Sequence, residues 1–209
     1  VADSVTMTTT AAKATGKTIN EAELENATVV ITALDQTLAA DLSGITTNAV
    51  TAAFDGTGTF TGNLGTATTT VADSVTMTAA YNVLNGKTVN HDGSESAQAL
   101  VVTIASADAA ADLSNITSDI TNLTANFSQT QTFIGNLDSK TASVANDITV
   151  TATAADVTGD TIAAAGNGNI AVTALHSTLA ADLSGLSSST GAVTAAFDGT
   201  GTFTGNLGT

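Results

Sequence analysis

The residues of this sequence best suited to chemistry are its aspartates. Asp41, Asp112 and Asp182 stand in the words AADLSG, AADLSN and AADLSG, and Asp55 and Asp198 stand in two copies of FDGTG. Carboxylates that return at one phase of a repeat, beside Ser, Gly and Asn, point to calcium, which takes six to eight oxygens from carboxylates, carbonyls and water. Calcium is therefore the candidate ion, and these five aspartates are its candidate ligands. An Asp at a corner also caps nearby backbone N–H groups without any ion. Both readings stand at this point. No cofactor is required by either.

Catalysis finds less support. The two histidines, His91 and His176, lie in unlike contexts, and His176 aligns with the polar position Gln36. No Ser has a His and a carboxylate at a recurring phase, as an activated nucleophile needs. Nothing resembles a Gly-rich phosphate loop with its Lys. The cluster Glu21, Glu23 and Glu25 reads as a solvated loop insertion. The expectation is that the chain is not an enzyme.

Composition narrows the partners. Nineteen carboxylates face four cations, all lysine, for a formal net charge of −15. Phosphate binding needs clustered Lys and Arg, so nucleic acid is an unsuitable partner, and an anionic membrane surface would repel the chain. No apolar run approaches the roughly 20 residues of a membrane-spanning helix. Yet 43% of residues are hydrophobic, against 11% charged, so the chain is not of the disordered type. The hydrophobic residues are Val, Ile, Leu and Ala with Thr between them, and the β-branched Val, Ile and Thr favour strands. Pro and Cys are absent. Without Cys there is no disulfide framework and no thiolate metal site.

The elements that would position the aspartates come from a repeat. AVTAAFDGTGTFTGNLGT occurs at 49–66 and, letter for letter, at 192–209; VADSVTMT occurs at 1–8 and 71–78. Three large repeats follow, 1–70, 71–143 and 144–209, and each divides into three segments. The chain starts and stops in phase with its repeat, as an internal piece of a longer protein would. Every segment opens on a period-two run, such as Val5-Met7, Val75-Met77 and Ile148-Val150 in the first segments. Val29-Ile31-Ala33, Leu100-Val102-Ile104 and Ile170-Val172-Ala174 open the second segments. The third open on Val50-Ala52-Phe54, Leu123-Ala125-Phe127 and Val193-Ala195-Phe197. Such alternation predicts strands with these residues inward. All six Phe fall at two places in the third segment, so their register fixes which face is buried. Helix is expected for no more than one turn, near Thr37–Leu42.

A unit of about 23 residues with two or three short strands cannot bury its apolar face alone, and stacking supplies the core. The expected fold is all-β: one continuous parallel β-solenoid (β-helix) of about nine coils, each large repeat contributing three. At about 4.8 Å per coil the rod would be roughly 43 Å long. The alternative is a row of tandem small β-sandwich modules, although immunoglobulin-like sandwiches usually need about 100 residues.

The LAADLSGI and TFTGNLG corners resemble single units of the pentapeptide repeats that build four-sided β-helices. More broadly, the acidic, Cys-free, Thr/Ala/Val/Asp-rich repeats resemble bacterial cell-surface proteins of the S-layer and giant-adhesin type. The GGxGxDxUx calcium repeat of RTX proteins is missing. The resemblance implies a secreted, extracellular or cell-surface structural segment: an adhesin stalk, S-layer or filament scaffold. Its partners would be neighbouring repeats or identical subunits, and the cell surface or extracellular matrix. Outward Thr runs such as Thr6-Thr8, Thr76-Thr78 and Thr149-Thr151 allow an ice- or carbohydrate-binding face. The TGNL-type words also resemble phage tail-fibre shafts, which would make the chain a trimer.

Overall fold

The structure, a computed structural model, describes residues 1–2, 4–21, 26–93 and 97–208. The chain is mostly β, 40% strand against 12% helix, and its sheets are parallel. It divides into two compact units, one of residues 1–101 with 115–123, the other of residues 102–114 with 124–209.

In the first unit five strands lie side by side in chain order: Thr6–Thr10, Thr28–Thr32, Ala49–Phe54, Thr68–Val71 and Val89–His91. Their registers run Thr6↔Thr28, Thr28↔Ala49, Thr51↔Thr68 and Thr69↔Val89, all parallel. The chain thus returns to the same sheet after about 20 residues, the length of one repeat unit. A second parallel pairing joins Gly58–Phe60 with Thr76–Ala80 (Gly58↔Met77, Phe60↔Ala79). A third pairs Ile19–Asn20 with Ile45–Thr46.

The second unit repeats the scheme. In one sheet residues 124–127 pair with Thr141–Val144, which continues to Ile162–Ala164 and Leu186–Ser188. In another, Gln131–Phe133, Thr149–Thr153, Asn169–Thr173 and Val193–Ala195 follow in parallel, with Val150, Ile170 and Val193 in one column.

Period-two alternation sets the faces as expected over most of this length. Val29, Ile31, Leu100, Val102, Ile104, Val150, Ile170 and Val172 are buried, and Phe54, Phe60, Phe127 and Phe133 are fully so. Phe127 and Phe133 meet edge to face, ring centroids 5.1 Å apart. Two second segments depart from the expectation at their third position. Ala33 and Ala174 adopt left-handed backbone, with φ of 55° and 54°. Each opens a 3-10 turn that swings Leu34 or Leu175 inward instead.

One-turn helices arise where none was expected, at Ala11–Ala14, Tyr81–Leu84 and Ala154–Val157, each directly after a first-segment strand. The helical turn buries its first and fourth residues, which share a face at that spacing. In the third of them Thr153 and Asp156 form a reciprocal capping pair. The expected turn at residues 37–42 is not an α-helix; the helical residues there are Leu34–Gln36.

Glycines in the TFTGNLG and TFIGNLD words have a packing reason. A Cβ on Gly62 would lie 2.0 Å from the Ala40 carbonyl oxygen, and one on Gly135 would lie 2.0 Å from that of Ala111. Each glycine lets its rung settle onto the Ala-Ala of the preceding AAD corner. There the Ala40 carbonyl accepts from Asn63 N–H at 2.8 Å, and the Ala111 carbonyl accepts from Asn136 N–H at 2.8 Å. The AADLSG and TGNLG words are therefore two halves of one contact.

Burial of identical sequence differs between the two ends of the repeat. Phe54 is 0% exposed and its counterpart Phe197 39%; Leu64 is 0% exposed and Leu207 56%. Likewise Met77 is 0% exposed, and Met7, in the same VADSVTMT word, 36%. Gly58–Phe60 is a strand, whereas the identical residues 201–203 are not.

Gly62→Ala is expected to cost about 1–3 kcal/mol, the usual range for overpacking against a fixed neighbour. Chemical denaturation of the variant beside the parent measures this. An unchanged midpoint would mean that the rungs are not held at this spacing.

Candidate functional site

Of the five candidate calcium ligands, Asp41, Asp112 and Asp182 occupy equivalent corners. Each forms an isolated parallel bridge with an asparagine one rung further on: Asp41 with Asn63, Asp112 with Asn136, Asp182 with Asn206. Each corner is closed by its own carboxylate. Oδ1 of Asp41 accepts from the Ser43 backbone N–H at 3.0 Å, that of Asp112 from Ser114 at 3.1 Å, and that of Asp182 from Ser184 at 3.0 Å. At Asp112 the Ser114 hydroxyl (2.6 Å) and the Asn136 amide (3.1 Å) donate to the same oxygen.

The asparagines repeat this geometry without charge. Oδ1 of Asn63, Asn136 and Asn206 accepts from the N–H of Gly65, Asp138 and Gly208 at 3.0, 2.8 and 3.0 Å. On the other side Thr15 and Thr158 hydroxyls accept from the backbone N–H of Asp41 and Asp182, both at 2.8 Å. The corner is thus a polar column of Thr, Asp and Asn running across rungs in each unit. Its carboxylates serve the backbone N–H capping reading of the aspartates.

Asp55 and Asp198 sit on exposed corners. The Asp55 backbone N–H donates to Oδ1 of Asp35 at 3.4 Å, and Gly56 packs against the Asp35 carboxylate. In the second unit His176 takes the place of Asp35, packing on Gly199 and edge to face with Phe197, centroids 6.4 Å apart. His176 therefore corresponds to Asp35 rather than Gln36, and it lies half-buried rather than at a solvated position. Among the described residues no three His, Asp or Glu come together as a metal-holding group.

His91, the other histidine, is oriented from two sides. Its Nδ1 accepts from Gly93 N–H at 3.0 Å, so Nε2 carries the proton and faces Oδ2 of Asp119 at 3.4 Å. The other Asp119 oxygen accepts from the His91 backbone N–H at 2.7 Å. Gln98, Ile120 and Thr121 complete a small cleft around the pair. The arrangement joins two neighbouring turns of the first unit.

Glu21 lies in the loop after Ile19–Asn20, and its carboxylate has two backbone partners. One carboxylate oxygen accepts from Ala27 N–H at 2.6 Å and the other from Asn48 N–H at 2.9 Å, tying the starts of two successive strands. Glu23 and Glu25 lie outside the described residues. The outward threonines line up only in part, as Thr6↔Thr28, Thr10↔Thr32 and Thr51↔Thr68, with Val30 set between Thr8 and Thr51.

Hydrogen bonding shifts the titration of these carboxyls. The Ser43, Ser114 and Ser184 side chains first, and their backbone N–H groups next, hold Asp41, Asp112 and Asp182 below the ordinary carboxylate range. The Ala27 backbone N–H does the same for Glu21. Asp160 goes the other way, its carboxyl raised by burial.

Comparison with family models, with curated proteins and with solved structures returns no match to this chain.

A carboxyl whose native pKa is depressed contributes stability above its unfolded value, near 3.9 for Asp, and loses that contribution as pH falls through the lower native value. Asn at 41, 112 and 182 keeps the Oδ1 acceptor but cannot titrate. The triple Asp→Asn variant is therefore expected to fold as the parent does at neutral pH and to lose part of the fall in Tm below about pH 4. Thermal melts across that range check it, and two parallel pH curves would contradict it.

Proposed function

We propose that this chain is a structural repeat segment of a long extracellular protein, an adhesin stalk, S-layer or filament scaffold. Within each unit, its parallel ladders are the walls of a β-solenoid. The observation that carries the reading is the pairing pattern. Every strand pair whose register is described is parallel, and the partners are one repeat unit apart. Sandwich modules of the alternative kind pair their strands antiparallel through hairpins and Greek keys. Residues of one type also stack on their own type: Val29 on Val50, Ile19 on Ile45, Thr153 on Thr173. Such columns serve a scaffold, because each rung presents the next with the surface it needs.

The acidic balance supports an extracellular, solvated role. An excess of nineteen carboxylates over four lysines makes neighbouring molecules repel side to side and keeps sheet edges apart.

Two experiments test the reading. Removing residues 28–48 deletes one whole turn and puts Ala49 where Thr28 stood, so the product is expected to fold with a cooperative melt. Removing residues 28–37 alone takes out the strand that lies between Thr6–Thr10 and Ala49–Phe54 but leaves the rest of its turn, and is expected to unfold the first unit. Equal outcomes for the two deletions would overturn the solenoid. For location, an antibody against the chain is expected to label intact source cells from outside. Recovery from the cytosol alone would remove the extracellular role.

A further inference from the structure

The middle repeat breaks a packing rule that the other two keep. Where they read Gly44-Ile45-Thr46 and Gly185-Leu186-Ser187, it reads Asn115-Ile116-Thr117. At the two glycines a Cβ would stand 2.5 Å from the Lys17 carbonyl oxygen and 2.2 Å from that of Asp160. No side chain fits at that register, and Asn115 is admitted by a slip. In the first repeat Gly16 N–H donates to the Asp41 carbonyl at 2.8 Å and Ile19 N–H to that of Gly44 at 3.0 Å. Gly159 and Ile162 bond Asp182 and Gly185 in the same way, at 2.8 and 3.0 Å. In the middle repeat Gly86 N–H donates instead to the Asn115 carbonyl at 3.1 Å, and Val89 N–H to that of Thr117 at 2.9 Å. The partner has moved from Asp112 to Asn115 at the corner, and from Asn115 to Thr117 in the rung. Asn115 ends a 3-10 turn, Leu113–Asn115, which has no counterpart at 42–44 or 183–185.

The slip puts Asn115 on Gly86 as Asp41 lies on Gly16, but the side chain is used differently. Asp41 and Asp182 turn Oδ1 back onto Ser43 and Ser184. Asn63, Asn136 and Asn206 close corners, and Oδ1 of Asn167 accepts from the Thr190 hydroxyl at 3.0 Å. The Asn115 carboxamide is exposed and has no partner among the described residues. Two residues on, Thr117 is exposed as well, and Ile116 between them turns inward at 6% exposure. The rung that carries them is fixed, since Thr117 N–H donates to the Lys87 carbonyl at 3.0 Å and Thr88 bridges Thr117 in parallel. An Asn and a Thr in the order Asn-X-Thr, both facing solvent, form the acceptor word for N-linked sugar.

We infer that Asn115 is a glycosylation site, with an oligosaccharide on its side-chain amide. This rests on the extracellular reading, because the transfer takes place on exported chains. The sugar donor is a lipid-linked glycosyl diphosphate. A bond forms between Asn115 Nδ2 and the anomeric carbon, and the bond from that carbon to the diphosphate oxygen breaks. The diphosphate leaves with the electron pair, and the amide gives up one proton. Three further words of this kind start at Asn26, Asn122 and Asn126. Asn126 lies inside the strand Leu123–Phe127, and its Oδ1 accepts from the Ser143 hydroxyl at 3.2 Å. Asn26 and Asn122 are exposed, but only Asn115 of the four stands where the other repeats have glycine. There the chain gives up a close backbone contact and gains an exposed acceptor amide.

Peptide mapping by mass spectrometry, on the full chain isolated from its source cells, tests the inference. The peptide containing Asn115 is expected to carry the mass of whole sugar units. A peptide N-glycan amidase is expected to remove that mass and leave a carboxylate in place of the amide. Thr117→Ala takes away the hydroxyl of the acceptor word and is expected to abolish the modification. Thr117→Ser keeps the hydroxyl and is expected to retain it, with circular dichroism checking that both variants fold. A bare Asn115, sugar confined to Asn26 or Asn122, or a modification that survives Thr117→Ala would overturn the assignment. Antibody labelling of the same cells separates the two readings. A chain labelled from outside with a bare Asn115 loses only the glycan, whereas a chain found in the cytosol alone loses the extracellular role as well.

Discussion

In a parallel ladder each backbone N–H of one turn donates to a carbonyl of the turn beside it, and the two turns stand about 4.8 Å apart. A single such bond contributes only about 1 kcal/mol net, but a buried group left without a partner costs more. Every residue in the wall must therefore supply a donor and tolerate a close neighbour above and below. Pro supplies none, and the chain contains no Pro. Where the backbone of one corner rests on the next, even a methyl is too large, and Gly62 and Gly135 stand there. On the buried face of the parallel ladders side chains of one kind stack in columns, and the buried phenylalanines fall at the same two phases of the repeat.

Burial in this protein belongs to pairs of turns rather than to a segment of sequence. The identical stretches make the point directly, since Phe54 and Leu64 are buried while Phe197 and Leu207 are exposed. The polar corners obey the same logic. Asp41 and Asn63 perform one task, closing a turn through Oδ1, and each also bridges to a neighbouring rung. Charge is present in one and absent in the other. That leaves acid sensitivity as the property that tells the two apart.

Much of the fold was legible because period-two alternation and exact repetition report on the backbone directly. The inward faces of Val29-Ile31, Leu100-Ile104 and Val50-Phe54 follow from alternation alone. What was not legible depended on backbone conformation that composition does not encode. Ala33 and Ala174 take a left-handed conformation usually left to Gly or Asn, so alternation pointed to them rather than to Leu34 and Leu175. The helical turns at 11–14, 81–84 and 154–157 are too short for periodicity to register, although the reciprocal Thr153 and Asp156 cap was a visible sign of the third. The shared corner of Asp41, Asp112 and Asp182 follows from their phase in the repeat, whereas the contacts of Glu21 to Ala27 and Asn48 span different turns and have no counterpart in the other repeats. His176 was misaligned by one residue; counting back from the shared TLAADLSG word gives Asp35 as its counterpart.

The exact identity of 49–66 and 192–209 also bears on inheritance. A crossover between the stretches of coding DNA for these two segments joins one to the other in frame, and every junction it makes is a sequence the chain already contains. The product gains or loses complete turns without creating a new surface that must learn to pack. Length is thus a property that such an exchange changes in whole turns, while the packing of each turn on the next is left as it was.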